Sequence, residues 1–414
     1  MGDPRLLVGA GRAEFDLNQG ELMAAFPRKP AQTRTADGVL DSLGARAIVL
    51  SDGLETAALC SVDLCMLREV TVAHIREAIG KRIPELLDKR VLFAATHTHA
   101  GPETSFLFGG SPDGDFVKRV EADVVETIES AYSNLAPARM SWSSIDVPLV
   151  HNRRITNAEG RSEMVMEHKV GVTTGPVDQT MQLVRFDSID GAGTHRDDDD
   201  SKNRSGTALA VLCHYTAHAL TLGPGNGYFS SDYPGRIRET IEKTCKGCTA
   251  LFLNGAAGNV HPMKCMRADA SALDEIGSAL GEKAVAALSA TQPIPDPNIT
   301  LRSDVLKFAN RMDGSIEVPV EIDLLDIGDL RLAFLPGEFF VEFQIAYNEH
   351  VGPRQGMFVG FANGSHGYVP TTESYETGGY GVDAATQDPP FWCRTALPRG
   401  AGEKIMARLF ELAD

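Results

Sequence analysis

The segment RVLFAATHTHAGPETS runs a short apolar stretch into two histidines, His97 and His99, and then breaks at Gly101 and Pro102. Side chains two apart in an extended chain point to one side, so both imidazoles are expected to face one pocket at the carboxyl end of a buried strand. Imidazoles gathered in such a place hold a transition metal or carry protons. A second apolar stretch, in LAVLCHYTAHALTLGPGNGYFSSDYPG, reaches His214 and His218. On a helix their spacing would give one metal-binding face, but no glutamate follows His214 to serve as base. Read as a strand, the segment presents His214 at its end as the candidate ligand and leaves His218 in the loop beyond. Asp232, ahead of Tyr233 and Pro234, reads as a helix N-cap, with support of a metal as the alternative. In TALFLNGAAGNVHPM a third strand opens onto Gly255, Gly258, Asn259 and His261, where small residues let backbone N–H groups approach a substrate oxygen. A fourth cluster, RLAFLPGEFFVEFQIAYNEHV, sets Glu338 after a Pro-Gly pair and ahead of an amphipathic helix. Beyond it, GFANGSHGYVPTTESYETGGYGVD carries His366, Tyr368, Tyr375 and Tyr380 in a glycine-rich loop.

These clusters need elements to carry them. Short apolar, β-branched runs alternate with stretches of helical period, the pattern of an α/β fold with a mixed sheet flanked by helices. Strands are expected at ARAIVLSD, TAALCSVDL, RVLFAATHTH, ARMSWSSI, MQLVRFDS, TALAVLCHYT, TALFLNG and LRLAFLP. Helices are expected at VTVAHIREAIGKRI, DFVKRVEADVVETIESAYSNL, YPGRIRETIEKTC, ALDEIGSALGEKAVAALS and GEKIMARLFELA. Neither a repeat nor a linker divides the chain, so residues 1–414 read as one domain. GAGTHRDDDDSKNRS forms a surface loop at about 190–206; its run Asp197 to Asp200 lacks the alternating ligands and downstream glutamate of a calcium loop.

Composition narrows the partners. The 56 acidic and 39 basic residues among 414 leave a formal charge of -17, which repels phosphate backbones and anionic membrane surfaces. With no run of about 18 apolar residues and no signal-peptide pattern at the start, the chain reads as unanchored. An odd count of seven cysteines fits reduced thiols and a cytoplasmic location, with an exported mature form as the alternative. Cys245 and Cys248 form a single CxxC without a second pair to complete a structural zinc site.

Taken together, the clusters resemble the neutral, non-lysosomal ceramidase family of zinc amidases. THTHAGP is similar to that family's THTHSGP, LPGEF to its PGEF, HGYVPTTESY to its HYITTYEEY and NGAAGNVHP to its GDVSP. VGAGRAEFDL and GVLDSLGARAIVLSDG resemble its opening, so the likeness runs from about residue 8 to about residue 385. By position, the resemblance implies zinc on His97, His214, Glu338 and Tyr368. It further implies His99 against the scissile bond, Tyr380 on the developing oxyanion, and Arg153 of VHNRRI as the arginine of an asparagine-arginine motif. Two departures stand out. His261 occupies the place of the family's GDVSP serine, where an imidazole can serve as general base or proton donor. The ceramidases also continue into an immunoglobulin-like domain, whereas this sequence runs to the helix GEKIMARLFELAD, so a catalytic domain alone is expected.

The function expected is therefore hydrolysis of an N-acyl amide, a carbon-nitrogen bond other than a peptide bond, by a zinc-activated water. The substrate is expected to be a small or lipid-like amide, and a true ceramide is not required. An ester or lactone hydrolase with the same zinc, and a zinc-holding homologue without turnover, are the alternatives.

Overall fold

Alternation along the strands sends successive side chains into different cores, and four layers follow from it. The computed structural model describes residues 6–26, 34–105, 114–166, 174–189, 207–352, 355–382 and 397–414. The aspartate run of the loop at 190–206, most of the segment TSFLFGG, the segment DPPFWC and Cys393 lie outside them.

The first sheet is built from β1 (Leu7–Glu14), β2 (Gly44–Ser51), β3 (Thr56–Val62), β4 (Val91–Ala95), β5 (Ala136–Asp146), β7 (Thr180–Ser188), β8 (Ala208–Tyr215), β9 (Thr249–Asn254) and the short β11 (Gln292–Ile294). Their spatial order is β9-β8-β7-β5-β1-β2-β3-β4, with β11 beside β5. A two-stranded ladder of three residue pairs, β6 (Val150–Asn152) with β10 (Val260–Pro262), stands apart from it. The second sheet consists of β12 (Ile299–Ala309), β13 (Glu317–Ile327), β14 (Leu330–Phe334) and β16 (Gln355–Val359) in that order. β15 (Glu338–Phe339) pairs with β17 (Tyr368–Val369).

On β2, Ala45, Ala47 and Val49 face one core while Ile48 and Leu50 face another. The first core is closed by α1 (Glu69–Arg82) and α2 (Asp115–Ser133). α2 lies directly on β1: a Cβ on Gly9 or Gly11 would come within 2.0 Å of the Ala131 carbonyl or 2.2 Å of the Thr127 carbonyl, so only glycine admits this approach. The other half of the same outer face carries α3 (Asp232–Thr244) and α4 (Ser271–Leu288). The inner face, with Leu59, Leu92, Val184 and Leu212, packs against Leu325, Leu332, Phe334 and Met357 of the second sheet. Beyond that sheet, α5 (Val341–Val351) and α6 (Ala401–Ala413) supply the fourth layer. The order is thus helices, sheet, sheet, helices, and the expected helices and listed strands fall within a few residues of their predicted bounds.

The first sheet curls until its edges meet. Ser61 on β3 donates to the Phe252 carbonyl on β9 at 2.6 Å. The pairs β3–β4, β8–β9 and β14–β16 are each parallel, and the loops leaving β4, β8 and β16 meet at Asn254, the last residue of β9. Among the described residues, no helix is long and apolar enough to cross a membrane.

Candidate metal centre

Asn254, fully buried at the end of β9, gathers three of those loops. Its Nδ2 donates to the carbonyls of Thr96 (3.2 Å) and Ala217 (2.9 Å), one residue before His97 and His218 respectively, and its own carbonyl accepts from Gly360 N–H at 3.0 Å. The chain after β4 does not stay extended as the sequence suggests. β4 ends at Ala95, and His97 takes a left-handed conformation with φ 66°. The strain is held because Thr96 N–H and His97 N–H bond the Val62 and Leu64 carbonyls at 2.9 and 3.0 Å. Asp63, between those two acceptors, is fixed by a buried pair to Arg238 at 2.6 and 2.7 Å and accepts from Thr96 Oγ1. His97 then stacks on Phe361, centroids 4.1 Å apart.

The imidazoles are oriented by backbone carbonyls. His97 Nδ1 donates to the Cys65 carbonyl at 2.6 Å, and His218 Nδ1 to the Ala257 carbonyl at 2.6 Å. A carbonyl only accepts, so Nδ1 carries a proton in both rings and each Nε2 is the atom left to face the glutamate. Both Nε2 atoms face Glu338, whose Oε2 lies 3.5 Å from His97 Nε2 and 3.3 Å from His218 Nε2. The carboxylate is placed from below, Glu338 N–H bonding the Gly367 carbonyl at 2.8 Å.

Without an ion, burial lowers His97 but Cys65 and Glu338 push it up to about 10, and this cation, with His218, holds the Glu338 carboxyl well below the usual carboxylate range against the burial that would raise it. Burial, and then Arg153, push His218 down to about 4, which keeps it neutral. His218 Nε2 and Glu338 Oε2 are buried with no hydrogen-bond partner. Opposed acceptors with no donor between them are costly to bury, and a cation between them removes the cost. Ligand atoms about 2.1 Å from a tetrahedral zinc ion stand roughly 3.4 Å apart, close to the separations seen here. His97, His218 and Glu338 therefore fit a metal. His99 stands at the rim, its Nε2 3.1 Å from His97 Nε2. Cys65, His97 and His99 form a second grouping of the right compactness. His97 Nδ1 already serves a carbonyl there, so the glutamate-bearing set is the better one.

His214 is not part of this centre, contrary to the sequence reading. β8 sends Val211, Cys213 and Tyr215 outward to the helices and Ala210 and Leu212 inward, and His214 shares the inward phase. There its Nε2 meets the Phe358 carbonyl at 2.8 Å, as Gln182 on the adjacent β7 meets the Gly356 carbonyl at 2.7 Å. Both satisfy the outer edge of β16. His218 takes the place expected of His214 because the chain turns after Tyr215 toward Asn254. Asp232 braces that turn: its carboxylate accepts from Thr221 N–H, Thr221 Oγ1 and Leu222 N–H as well as from Tyr233 N–H at the helix start.

The remaining predicted residues surround the glutamate. Tyr368 pairs with Glu338 across the β15–β17 ladder, and burial, then Glu338 and Tyr380, push its hydroxyl well above the ordinary phenol range. The Tyr368 and Tyr380 rings meet edge to face at 5.5 Å. Arg153 lies over both, 5.4 Å from the first centroid and 4.6 Å from the second. His261, whose ring stands 5.3 Å from that of His218, has its Nε2 2.9 Å from Arg153 Nη1. Arg154 points away and braces the Tyr380 loop through the carbonyls of Gly378 and Tyr380, both at 2.7 Å. Gly258 lets that loop approach: its N–H bonds the Phe339 carbonyl at 2.8 Å, and a Cβ would fall 2.3 Å from the Glu338 carbonyl. Asn254, Cys65 and Phe361 escaped sequence reasoning; only Asn254, a lone polar residue closing the apolar run TALFL, left a signal.

No protein-family model matches the chain. Among solved structures it is similar to neutral ceramidase from Pseudomonas aeruginosa, with a TM-score of 0.74 and 17% identity over 100% of this chain and 74% of that one. It is likewise similar to a ceramidase complexed with C2, at a TM-score of 0.75 and 17% identity over 99% and 75%. The chain has a ceramidase-like fold, as the motif resemblance implied.

Proposed function

We propose that the protein is a zinc-dependent hydrolase of N-acyl amides whose ion is held by His97, His218 and Glu338, with Tyr368 beside the carboxylate. The observation that carries this reading is the pair of buried, unpartnered acceptors, His218 Nε2 and Glu338 Oε2, converging with His97 Nε2. When bound, such an ion polarises an acyl carbonyl and lowers the pKa of water toward 7. The chain's own groups supply the rest. His99, kept neutral by burial and by its imidazole neighbours, takes a proton at Nε2 and returns it to the leaving nitrogen. Arg153 and Tyr380 orient the carbonyl and meet the negative charge that develops on it. The ceramidase-like fold and the order of the motifs support an amide over other acyl substrates.

The test is metal analysis of the purified chain paired with hydrolysis of acetyl and octanoyl p-nitroanilides, the matching p-nitrophenyl esters and γ-lactones, before and after chelation. About one zinc per chain and chelator-sensitive anilide turnover are expected. Turnover confined to esters or lactones would replace the amide reading, zinc without turnover would leave a binding protein, and absence of bound metal would remove the mechanism.

A further inference from the structure

Arg153 is a buried cation next to the candidate metal centre, 4% exposed. Its backbone is set by the β6–β10 ladder, in which Asn152 pairs with Val260 and His151 with His261, and by its own N–H on the Asn259 carbonyl at 2.8 Å. Its guanidinium donates Nη2 to the Gly258 carbonyl and Nη1 to His261 Nε2 at 2.9 Å, while its plane covers the Tyr380 and Tyr368 rings. A guanidinium has donors only. His261 must therefore accept at Nε2, which puts its proton on Nδ1, facing Cys265 Sγ at 3.7 Å. The nitrogen nearest the cleft residues is thus already occupied by an arginine.

We infer that His261 is a positioning residue that clamps the Arg153 guanidinium through Nε2, and not the general base or proton donor its place in the sequence suggests. The same short ladder carries His261 and leads directly into Arg153, so the acceptor and the arginine stay in register. The clamp holds the guanidinium plane against the Tyr380 and Tyr368 rings, so that its position needs little reorganisation during the reaction itself. Proton traffic then falls to His99. This inference rests on the hydrolase reading for its kinetic consequence, but its hydrogen-bond content stands without turnover.

Two measurements test it on the metal-loaded full chain. His261→Leu removes the acceptor, whereas His261→Gln restores one at the position of Nε2. With octanoyl p-nitroanilide, His261→Leu is expected to lose on the order of 100-fold in kcat/KM. His261→Gln is expected to recover most of that loss, with metal content and the pH limbs of the wild type in both variants. Equal loss in both, or disappearance of a pH limb in His261→Gln, would overturn the clamp in favour of a proton carrier. In parallel, the 15N spectrum of histidine-labelled wild type, with His261 assigned from the variants, should show an Nδ1–H tautomer unchanged from pH 5 to pH 9. An Nε2–H tautomer, or a titration in that range, would sink the inference even if every substrate in the panel failed, in which case the hydrolase reading falls separately.

Discussion

His214 and His218 are the same side chain four residues apart, and each is buried among atoms that assign it a different task. His218 has one nitrogen on a main-chain carbonyl and the other facing Glu338, while His214 bonds a carbonyl at the edge of the second sheet. Replacing each by alanine separates the two. His218→Ala should fold and lose metal affinity on the order of 100-fold or more, since even groups that merely orient a ligand are worth 10–100-fold. His214→Ala should keep its metal and instead cost roughly 2–3 kcal/mol of stability, from the void and the orphaned Phe358 carbonyl. Zinc titration and urea unfolding of the two variants read these out, and metal loss in His214→Ala would return that residue to the centre. The observed placement of the two side chains was partly legible beforehand. The alternation Ala210, Leu212, His214 already assigns His214 to the inward apolar face, whereas the small residues of TAHA mark a turn. What no pattern gives is the point at which the strand stops, because Asn254, far along the chain, decides it.

At the scale of elements, the helices and most strands were readable because each shows a clean apolar period against one core. The hairpin β12–β13, eleven residues on each side, was not read. Polar residues such as Arg302, Asp304, Glu321 and Asp323 interrupt both strands and hide the alternation. Burial disposes one of these carboxyls, Asp323, to keep its proton. Asp323 is fully buried on β13, accepts from Asn363 Nδ2 at 2.8 Å and from Ser303 Oγ, and neighbours Glu321, which Arg76 grips at 2.7 and 3.1 Å. Asn363 in turn accepts from Phe93 N–H on β4, linking the hairpin to the strand that leads to His97. Burial first, then Glu321, push Asp323 well above its ordinary value, with Arg76 opposing and Lys89 near Glu321 at 3.9 Å. The folded state therefore holds a proton that the unfolded chain releases near pH 4. Stability contributed by that proton is complete below pH 4 and falls as pH rises toward the folded value, by up to about 1.4 kcal/mol per unit. Asp323→Asn should remove this decline, so its stability relative to wild type should grow between pH 5 and pH 9 in urea unfolding. Parallel pH profiles for the two proteins would show that Asp323 is ionised in the fold.

For the whole molecule, the arrangement of the donors matters more than any one of them. His97 leaves β4 at one edge of the curled first sheet and His218 follows β8 next to its other edge, while Glu338 comes from the chain between β14 and β16 of the second sheet. An ion bound by all three ties together segments that the unfolded chain keeps more than a hundred residues apart, and an unfolded chain offers no such site. Binding then adds stability by mass action, about 2.7 kcal/mol when free metal is a hundred times Kd. Spread over the unfolding entropy of a chain this long, that amounts to roughly 3 °C in Tm. Chelation should lower Tm by about that much, and added zinc should raise it in proportion to the logarithm of its concentration. The His218→Ala variant should respond to neither, which separates binding at this centre from adventitious metal on the acidic surface. A chelator shift that persists in His218→Ala would mean that the stabilising ion sits elsewhere, and the functional reading built on His97, His218 and Glu338 would lose its foundation.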